Sequence, residues 1–165
     1  RMRKPVIAQV HGYALAGGCG LAAGCDLLVA SEDAVFGLPE IKVGLLPLMV
    51  MAPVFRSVGI KRGLPLVLTG EQITARQAYE IGLVTQVVPG GELEKTVRTL
   101  AEKLAGLSPT ALGLAKEAAY TIQDMEYGKS LKYLRELITL VGLSDDAKEG
   151  IGAFFDKRPP RWSGR

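Results

Sequence analysis

One histidine, two cysteines and one tryptophan are spread over the 165 residues of this chain. That scarcity excludes whole classes of chemistry. A structural metal site needs several Cys, His or carboxylate ligands at short spacing, and His11, Cys19 and Cys25 have no such company, so no metal is expected. Cys19 and Cys25 lie six residues apart in a Gly/Ala-rich stretch and read better as thiols than as a bridge. A reducing, cytoplasmic setting follows from that reading. No apolar run is long enough to span a bilayer; the longest, residues 43–55, is broken by Pro47 and Pro53. The first residues run straight into Lys4-Pro5-Val6-Ile7 and do not resemble a secretory signal. Basic residues do not alternate with aromatics along any element, which argues against a nucleic-acid partner.

Hydrophobic residues make up 48% of the chain and glycines number 20, a composition that suits one well-buried globular domain. Charge is uneven. Arg1, Arg3 and Lys4 are positive, and Lys157, Arg158, Arg161 and Arg165 outweigh Asp156. The net charge of +3 therefore leaves the middle of the chain near −3. Basic ends suit phosphates on a ligand, or they are simply solvated tails.

The pattern starts with strands and ends with helices. Residues 6–11 are apolar, rich in β-branched side chains and followed by Gly12, so they predict a strand. Residues 13–26 are dominated by small residues, as in a Gly-rich turn entering a closely packed helix. Residues 27–30 and 34–37 predict two more strands, with Ser31-Glu32-Asp33 as the turn between them. Pro39 prevents an immediate helix and places Glu40 in a rigid exit loop. Helices are expected over 48–57, over 61–68 (bent by Pro65) and over 74–81 (capped by Thr74, with Gly82 just past its end). A strand is expected over 83–88.

Three amphipathic helices come next. Leu93, Val97, Leu100, Leu104 and Leu107 share one face, as do Ala111, Ala115, Ala118, Ile122 and Met125, and then Tyr127, Leu131, Leu134, Ile138 and Val141. Ser108-Pro109 opens the second of these. Ser144-Asp145-Asp146 opens a last helix, with carboxylates where the helix dipole favours them and Ala147, Ile151, Phe154 and Phe155 on its apolar side. Pro159 and Pro160 end all helix, and Trp162 anchors the tail to the body or to a neighbour.

Two features carry candidate chemistry. A strand feeds a helix whose first turn is Gly17-Gly18, and N–H groups at a helix start lack intrahelical acceptors. Such groups suit a developing negative oxygen, although many Gly-rich turns serve only packing. The glycines do not follow the nucleotide-binding order. Glu40, between Pro39 and Ile41, sits in apolar company that suits proton transfer; a plain surface carboxylate is the alternative. Leu45, Leu46, Leu48, Met49 and Met51 line an apolar pocket or are ordinary core. His11, at a strand end, reads as structural rather than as a base.

Three stretches, taken together, resemble the enoyl-CoA hydratase/isomerase (crotonase) family. They are Lys4-Pro5-Val6-Ile7-Ala8 through Cys25-Asp26, then Ala34-Val35-Phe36-Gly37-Leu38-Pro39-Glu40-Ile41, then Leu68-Thr69-Gly70 through Ala78 to Gly82-Leu83-Val84. The closing Phe154-Phe155-Asp156-Lys157-Arg158-Pro159 is similar to the family's C-terminus. The resemblance implies an α/β fold: the C-terminal part of a crotonase-like β-β-α spiral (residues 1–90), then a helical trimerisation subdomain (residues 91–165). It implies an acyl-CoA thioester as substrate, no cofactor beyond the coenzyme A that the substrate carries, and a homotrimer or dimer of trimers. By match, Gly17 supplies one oxyanion-hole N–H and Glu40 is the catalytic carboxylate. Ala14, Gly18, Pro39, Leu46, Met49 and Phe155 form the expected substrate-binding set, and Lys157 and Arg158 fall near the coenzyme A phosphates.

The chain departs from the family in two ways. Typical hydratases carry a second glutamate directly after Gly-Gly-Cys, where this chain has Gly20. Hydration usually shares its proton transfers between two carboxylates, whereas one carboxylate suffices to move a proton between two carbons. The resemblance therefore favours double-bond isomerisation, with hydration through a different second group, or a non-catalytic chain, as alternatives. The family's N-terminal part, with its other oxyanion-hole N–H, is also not found in these residues.

Overall fold

In the computed structural model, which describes residues 2–165, the first apolar run is strand β1 (Ile7–Val10). It pairs in parallel with β3 (Leu27–Ser31), and β3 pairs in parallel with β6 (Gln86–Val88). A second sheet holds β2 (Tyr13–Leu15), β4 (Val35–Gly37) and β5 (Gln72–Thr74), with β4 central, parallel to β2 and antiparallel to β5. The first four strands thus alternate between the two sheets. β1 and β2 lead into helix α1 (Gly17–Ala23). β3 and β4 lead through a 3-10 turn (Pro39–Val43) into α2 (Leu48–Val58) and α3 (Ile60–Thr69).

β3 explains why this sheet reads as continuously apolar. Leu28, Val29, Ala30 and Ser31 are all buried, as in parallel strands covered on both faces. The main core gathers Val10, Cys19, Leu28, Phe36, Leu38, Val54, Leu66 and Val67. Burying each larger side chain contributes about 1.5–3 kcal/mol. A second cluster joins Val29 and Val88 to Leu93. The buried Ser31 hydroxyl donates to the Val10 carbonyl at 3.5 Å. Thr85 Oγ1 accepts from Leu28 N–H at 2.9 Å and donates to Leu28 O at 2.6 Å, which fixes the approach to β6.

Helix α4 (Ala75–Glu80) starts as expected, with a complete capping box. Thr74 Oγ1 accepts from Gln77 N–H (3.2 Å), and Gln77 Oε1 accepts from Thr74 N–H (2.9 Å). Other expectations need correction. The strand expected over 83–88 begins only at Gln86, because the amides of Leu83 and Val84 turn back to the Ala78 carbonyl at 2.9 and 3.2 Å and close α4. Glu40 does not sit in an irregular loop. Pro39 takes the first position of the 3-10 turn, where its missing N–H costs nothing, and Glu40 comes directly after it.

Residues 6–101 form one compact unit, and residues 2–5 with 102–165 form another. Helix α5 (Leu93–Ala105) runs from the first into the second. The second unit contains α6 (Pro109–Ile122), α7 (Tyr127–Leu143) and α8 (Asp145–Phe155). Ser108 caps α6 by accepting from Ala111 N–H, and Ser144 caps α8 by accepting from Ala147 N–H. Among the described residues no helix is long and apolar enough to cross a membrane.

Asp146 does more than complement the dipole in the first turn of α8. It is buried and tied to two other segments of the chain. Oδ2 accepts from Ser108 Oγ (2.7 Å), and Oδ1 accepts from Ser163 N (2.7 Å), Gly164 N (3.0 Å) and Ser163 Oγ (3.1 Å). Trp162 anchors the tail to the body, donating from Nε1 to the Gly106 carbonyl at 2.8 Å. Burial alone would raise the Asp146 carboxyl, but the hydrogen bonds from Ser108, Gly164 and Ser163 outweigh it and hold it well below the usual carboxylate range. A depressed folded-state pKa stabilises above the unfolded value, and that stabilisation is lost as pH falls through the folded value. The helical unit should therefore weaken as pH drops below about 4, the ordinary Asp value. Asp146→Ala should lower the melting temperature at neutral pH, speed tryptic cleavage at Arg161, and flatten the acid side of a melting-temperature profile.

Candidate active site

β2 and β4 deliver the two candidate catalytic residues. β2 ends at Leu15, and Ala16 turns the chain into α1 with φ 52° and ψ −125°. That conformation lies outside the regions open to residues with a Cβ. It is held from outside, because Ala16 N–H donates to the Gly37 carbonyl at the end of β4 over 2.9 Å. The first N–H to reach back to the turn is that of Gly20, which bonds Ala16 O at 3.2 Å. The amides of Gly17, Gly18 and Cys19 precede it and have no helical acceptor.

The glycines of this turn divide by role. A Cβ built on Gly17 or Gly18 meets no atom within 4 Å, and both residues are exposed. Packing within the chain does not require them; they border open space. Gly20 is buried and packs against Val50 of α2. The packing explanation for a Gly-rich turn thus applies to Gly20 and not to Gly17 or Gly18.

Glu40 sits three residues past β4, between buried Leu38 and half-buried Ile41. The residue is half-buried, and its Oε2 is fully enclosed without a hydrogen-bond partner. Its charge reaches α1. Burial pushes the Cys19 thiol up to about 11, a hydrogen bond with the Gly37 backbone opposes this, and the negative charge of Glu40 adds to the rise. A thiol held that high is a packing group, not a nucleophile. Cys19 and Cys25 form no disulfide.

The other candidates separate. Ala14 is buried at 6% exposure, so its side chain belongs to the core rather than to a ligand surface. Pro39 is half-buried beside Glu40. Leu46 and Met49 are not core, at 56% and 87% exposed. With Leu45 and Leu48, also exposed, they form an apolar ledge leading into α2, interrupted by the buried Pro47. Phe155, Lys157 and Arg158 lie in the helical unit, and all three are exposed. Arg158 is already engaged. Its Nη1 and Nη2 grip the two Glu149 oxygens at 2.7 and 3.0 Å, and its Nε meets Asp156 Oδ2 at 3.3 Å. The bonds from Arg158 Nη1 and Nη2, with that from Arg161 N–H, draw the Glu149 carboxyl down to about 2. Nothing in the spacing of Glu149 and Arg158 announces this fork. His11 is exposed just past β1. Of the basic ends, Arg1 lies outside the described residues.

A Gly-rich turn opening a short helix, beside a carboxylate carried past the neighbouring parallel strand, agrees with what the whole chain matches. Residues 1–165 fit the enoyl-CoA hydratase/isomerase family. The chain belongs to that family. It is 45% identical to the 2,3-dehydroadipyl-CoA hydratase of Escherichia coli K12, over 98% of this chain and 64% of that protein. The fold superposes on the Bacillus anthracis enoyl-CoA hydratase with a TM-score of 0.94 at 36% identity, covering 99% of this chain and 64% of that one. It superposes on human enoyl Coenzyme A hydratase domain-containing protein 3 with a TM-score of 0.93 at 36% identity, covering 97% and 63%. The crotonase-like α/β architecture is therefore established, and the chain spans about six-tenths of the length of the curated relatives it matches.

Ala16 has no sequence signal, since an alanine between Leu15 and Gly17 looks unremarkable. Its conformation costs about 1–3 kcal/mol, and glycine would avoid that at an entropic cost of about 0.5–1 kcal/mol. Ala16→Gly should raise stability by about 1 kcal/mol in urea denaturation. Ala16→Val should lower it by more than that, because a β-branched residue fits positive φ worst.

Proposed function

We propose that this chain acts on an acyl-CoA thioester, with Gly17 N–H stabilising the thioester oxygen as an enolate and Glu40 carrying the proton. The observation that carries this is the enclosed, unpartnered Oε2 of Glu40, held past β4 while the adjoining β2 leads into a turn whose Gly17 borders open space. A buried acceptor without a partner is costly in a resting structure, and a substrate C–H beside it gives it a task.

The chemistry favoured is double-bond migration. Glu40 takes a proton from the α-carbon of a 3-enoyl thioester, and the electron pair moves into the carbonyl as an enolate. Glu40 then returns the proton at the γ-carbon, leaving the 2-enoyl product. One carboxylate serves both steps, and Gly20 supplies no second one. One oxyanion donor of this kind is worth about 2.7–4 kcal/mol in the transition state. The substrate brings its own coenzyme A, and no separate cofactor enters. Leu46, Met49, Gly18 and Pro39 are the proposed contacts to the acyl part, a reading supported by the exposure of Leu46 and Met49. Lys157 is the better candidate for a coenzyme A phosphate, since Arg158 is held by Glu149.

A second reading, water addition to a 2-enoyl thioester, is favoured by the E. coli relative, which is named a hydratase. Self-association belongs to the same proposal. Tyr127, Leu131 and Ile138 on α7 and Ile151, Phe154 and Phe155 on α8 are exposed at 50–78%, an apolar surface that suits a homotrimer or dimer of trimers. A cytoplasmic setting is part of the same proposal and rests on reading Cys19 and Cys25 as thiols.

The test is incubation of the chain with 3-enoyl-CoA and with 2-enoyl-CoA in heavy water, with products read by mass spectrometry. Migration with deuterium incorporation is expected, and Glu40→Gln should slow it by about 100- to 10,000-fold with no loss of melting temperature. Migration at an unchanged rate in the variant would sink the role of Glu40. Water addition in place of migration would establish the second reading.

A further inference from the structure

Gly20 and Val50 are thirty residues apart in sequence and in direct contact in the fold. A Cβ built on Gly20 stands 2.8 Å from Val50 Cγ1, 2.9 Å from Val50 Cγ2 and 3.1 Å from Val50 Cβ. Carbon atoms in contact prefer about 3.5–4.0 Å, so even a methyl group at position 20 overlaps Val50. Val50 cannot simply swing aside. It lies in the first turn of α2, and a β-branched side chain in a helix has one strongly preferred rotamer. It also packs against the main core.

We propose that Val50 fixes the site in its one-carboxylate form and thereby decides between double-bond migration and water addition. This rests on the proton-transfer reading of Glu40 given above. Gly20 N–H bonds the Ala16 carbonyl at 3.2 Å, and Ala16 N–H bonds the Gly37 carbonyl at 2.9 Å, three residues before Glu40, so a carboxylate grafted at position 20 enters the same turn. Val50 fills the space its stem would need. Positions 20 and 50 therefore form a matched pair: glycine with valine, or a longer side chain with a smaller partner.

With a carboxylate at position 20, water addition becomes complete. That carboxylate takes a proton from water as the water oxygen bonds the β-carbon of a 2-enoyl thioester. The π pair moves to the thioester oxygen as an enolate, and Glu40, protonated at the start, gives its proton to the α-carbon. One water is consumed, the product is a 3-hydroxyacyl thioester, and the proton on residue 20 returns to Glu40 through solvent.

Three variants test the pairing: Gly20→Glu, Val50→Gly and the two together, with Val50→Ala as a milder partner that removes both γ-carbons if Val50→Gly does not fold. Gly20→Glu alone should lower the melting temperature by roughly 3–10 °C, as overpacking does, without gaining hydration. The same substitution should cost less beside a trimmed residue 50, and the double variant should hydrate 2-enoyl-CoA at least tenfold faster than either single one. An equal melting cost in both backgrounds would overturn the pairing. So would hydration gained by Gly20→Glu alone. Coupled melting without gained hydration would overturn the role of Val50 in the reaction outcome. The melting comparison does not involve Glu40, so failure of the Glu40 proposal shows separately, as unchanged migration in Glu40→Gln.

Discussion

The parallel pairing of β2 with β4, continued by the hydrogen bond from Ala16 N–H to the Gly37 carbonyl, is the constraint on which the site depends. Parallel neighbours run in the same direction, so both chains leave the sheet at the same edge. Gly17 comes two residues after Leu15, and Glu40 three residues after Gly37. Antiparallel strands of this length would have separated the two exits by about 10 Å, three residues at about 3.3 Å each. An amide and a carboxylate from distant parts of the chain are thus neighbours because of strand direction.

Holding them there is costly, and the surrounding core explains why the arrangement persists. Ala16 is kept in a conformation that its Cβ disfavours, and a buried oxygen of Glu40 lacks a partner, each a penalty of about 1–3 kcal/mol. Phe36 and Leu38, both fully buried, bracket Gly37 and anchor the end of β4. Cys19, also fully buried, anchors α1 beneath its open first turn. Rigid packing under a strained surface turn is the condition in which strain is retained instead of relaxed. The same burial silences the Cys19 thiol.

Legible in the sequence is whatever depends on neighbours within a few residues. β1, β3 and β4 arise from apolar β-branched runs, and α4, α6 and α8 begin at Thr74, Ser108 and Ser144, whose hydroxyls cap them. Gly17 and Glu40 stand out through local company and family resemblance. β2 and β5 do not, because three residues are too few to display alternation. The 3-10 turn at Glu40 is masked by Pro39, which looks like a helix breaker until it occupies the first position. Hardest to read are contacts between residues far apart in sequence: Val50 against Gly20, Asp146 under Ser163 and Gly164, Glu149 around Arg158. Each needs the fold before either partner acquires meaning. Leu46 and Met49 are ambiguous for a related reason, since an apolar residue in a surface ledge has the same letter as one in the core.

The helical unit shows how far this ambiguity extends. Its buried residues are small or polar: Ser108, Gly113, Ala118, Ser130, Asp146 and Ala153. Small residues let helices approach closely but remove little apolar area from water, whereas a buried Leu, Ile or Phe contributes about 1.5–3 kcal/mol. In this unit many of the large apolar side chains of α7 and α8 lie outside, and Phe154 and Phe155 meet mainly each other, edge to face at 5.8 Å. The periodic face of α7 is therefore split, with Leu134 and Val141 half-buried and Tyr127, Leu131 and Ile138 exposed. Within the unit, shape is specified by the Asp146 hydrogen bonds and by the fork between Glu149 and Arg158. A helical period identifies an apolar face, but it does not say whether that face closes on its own chain or on another copy.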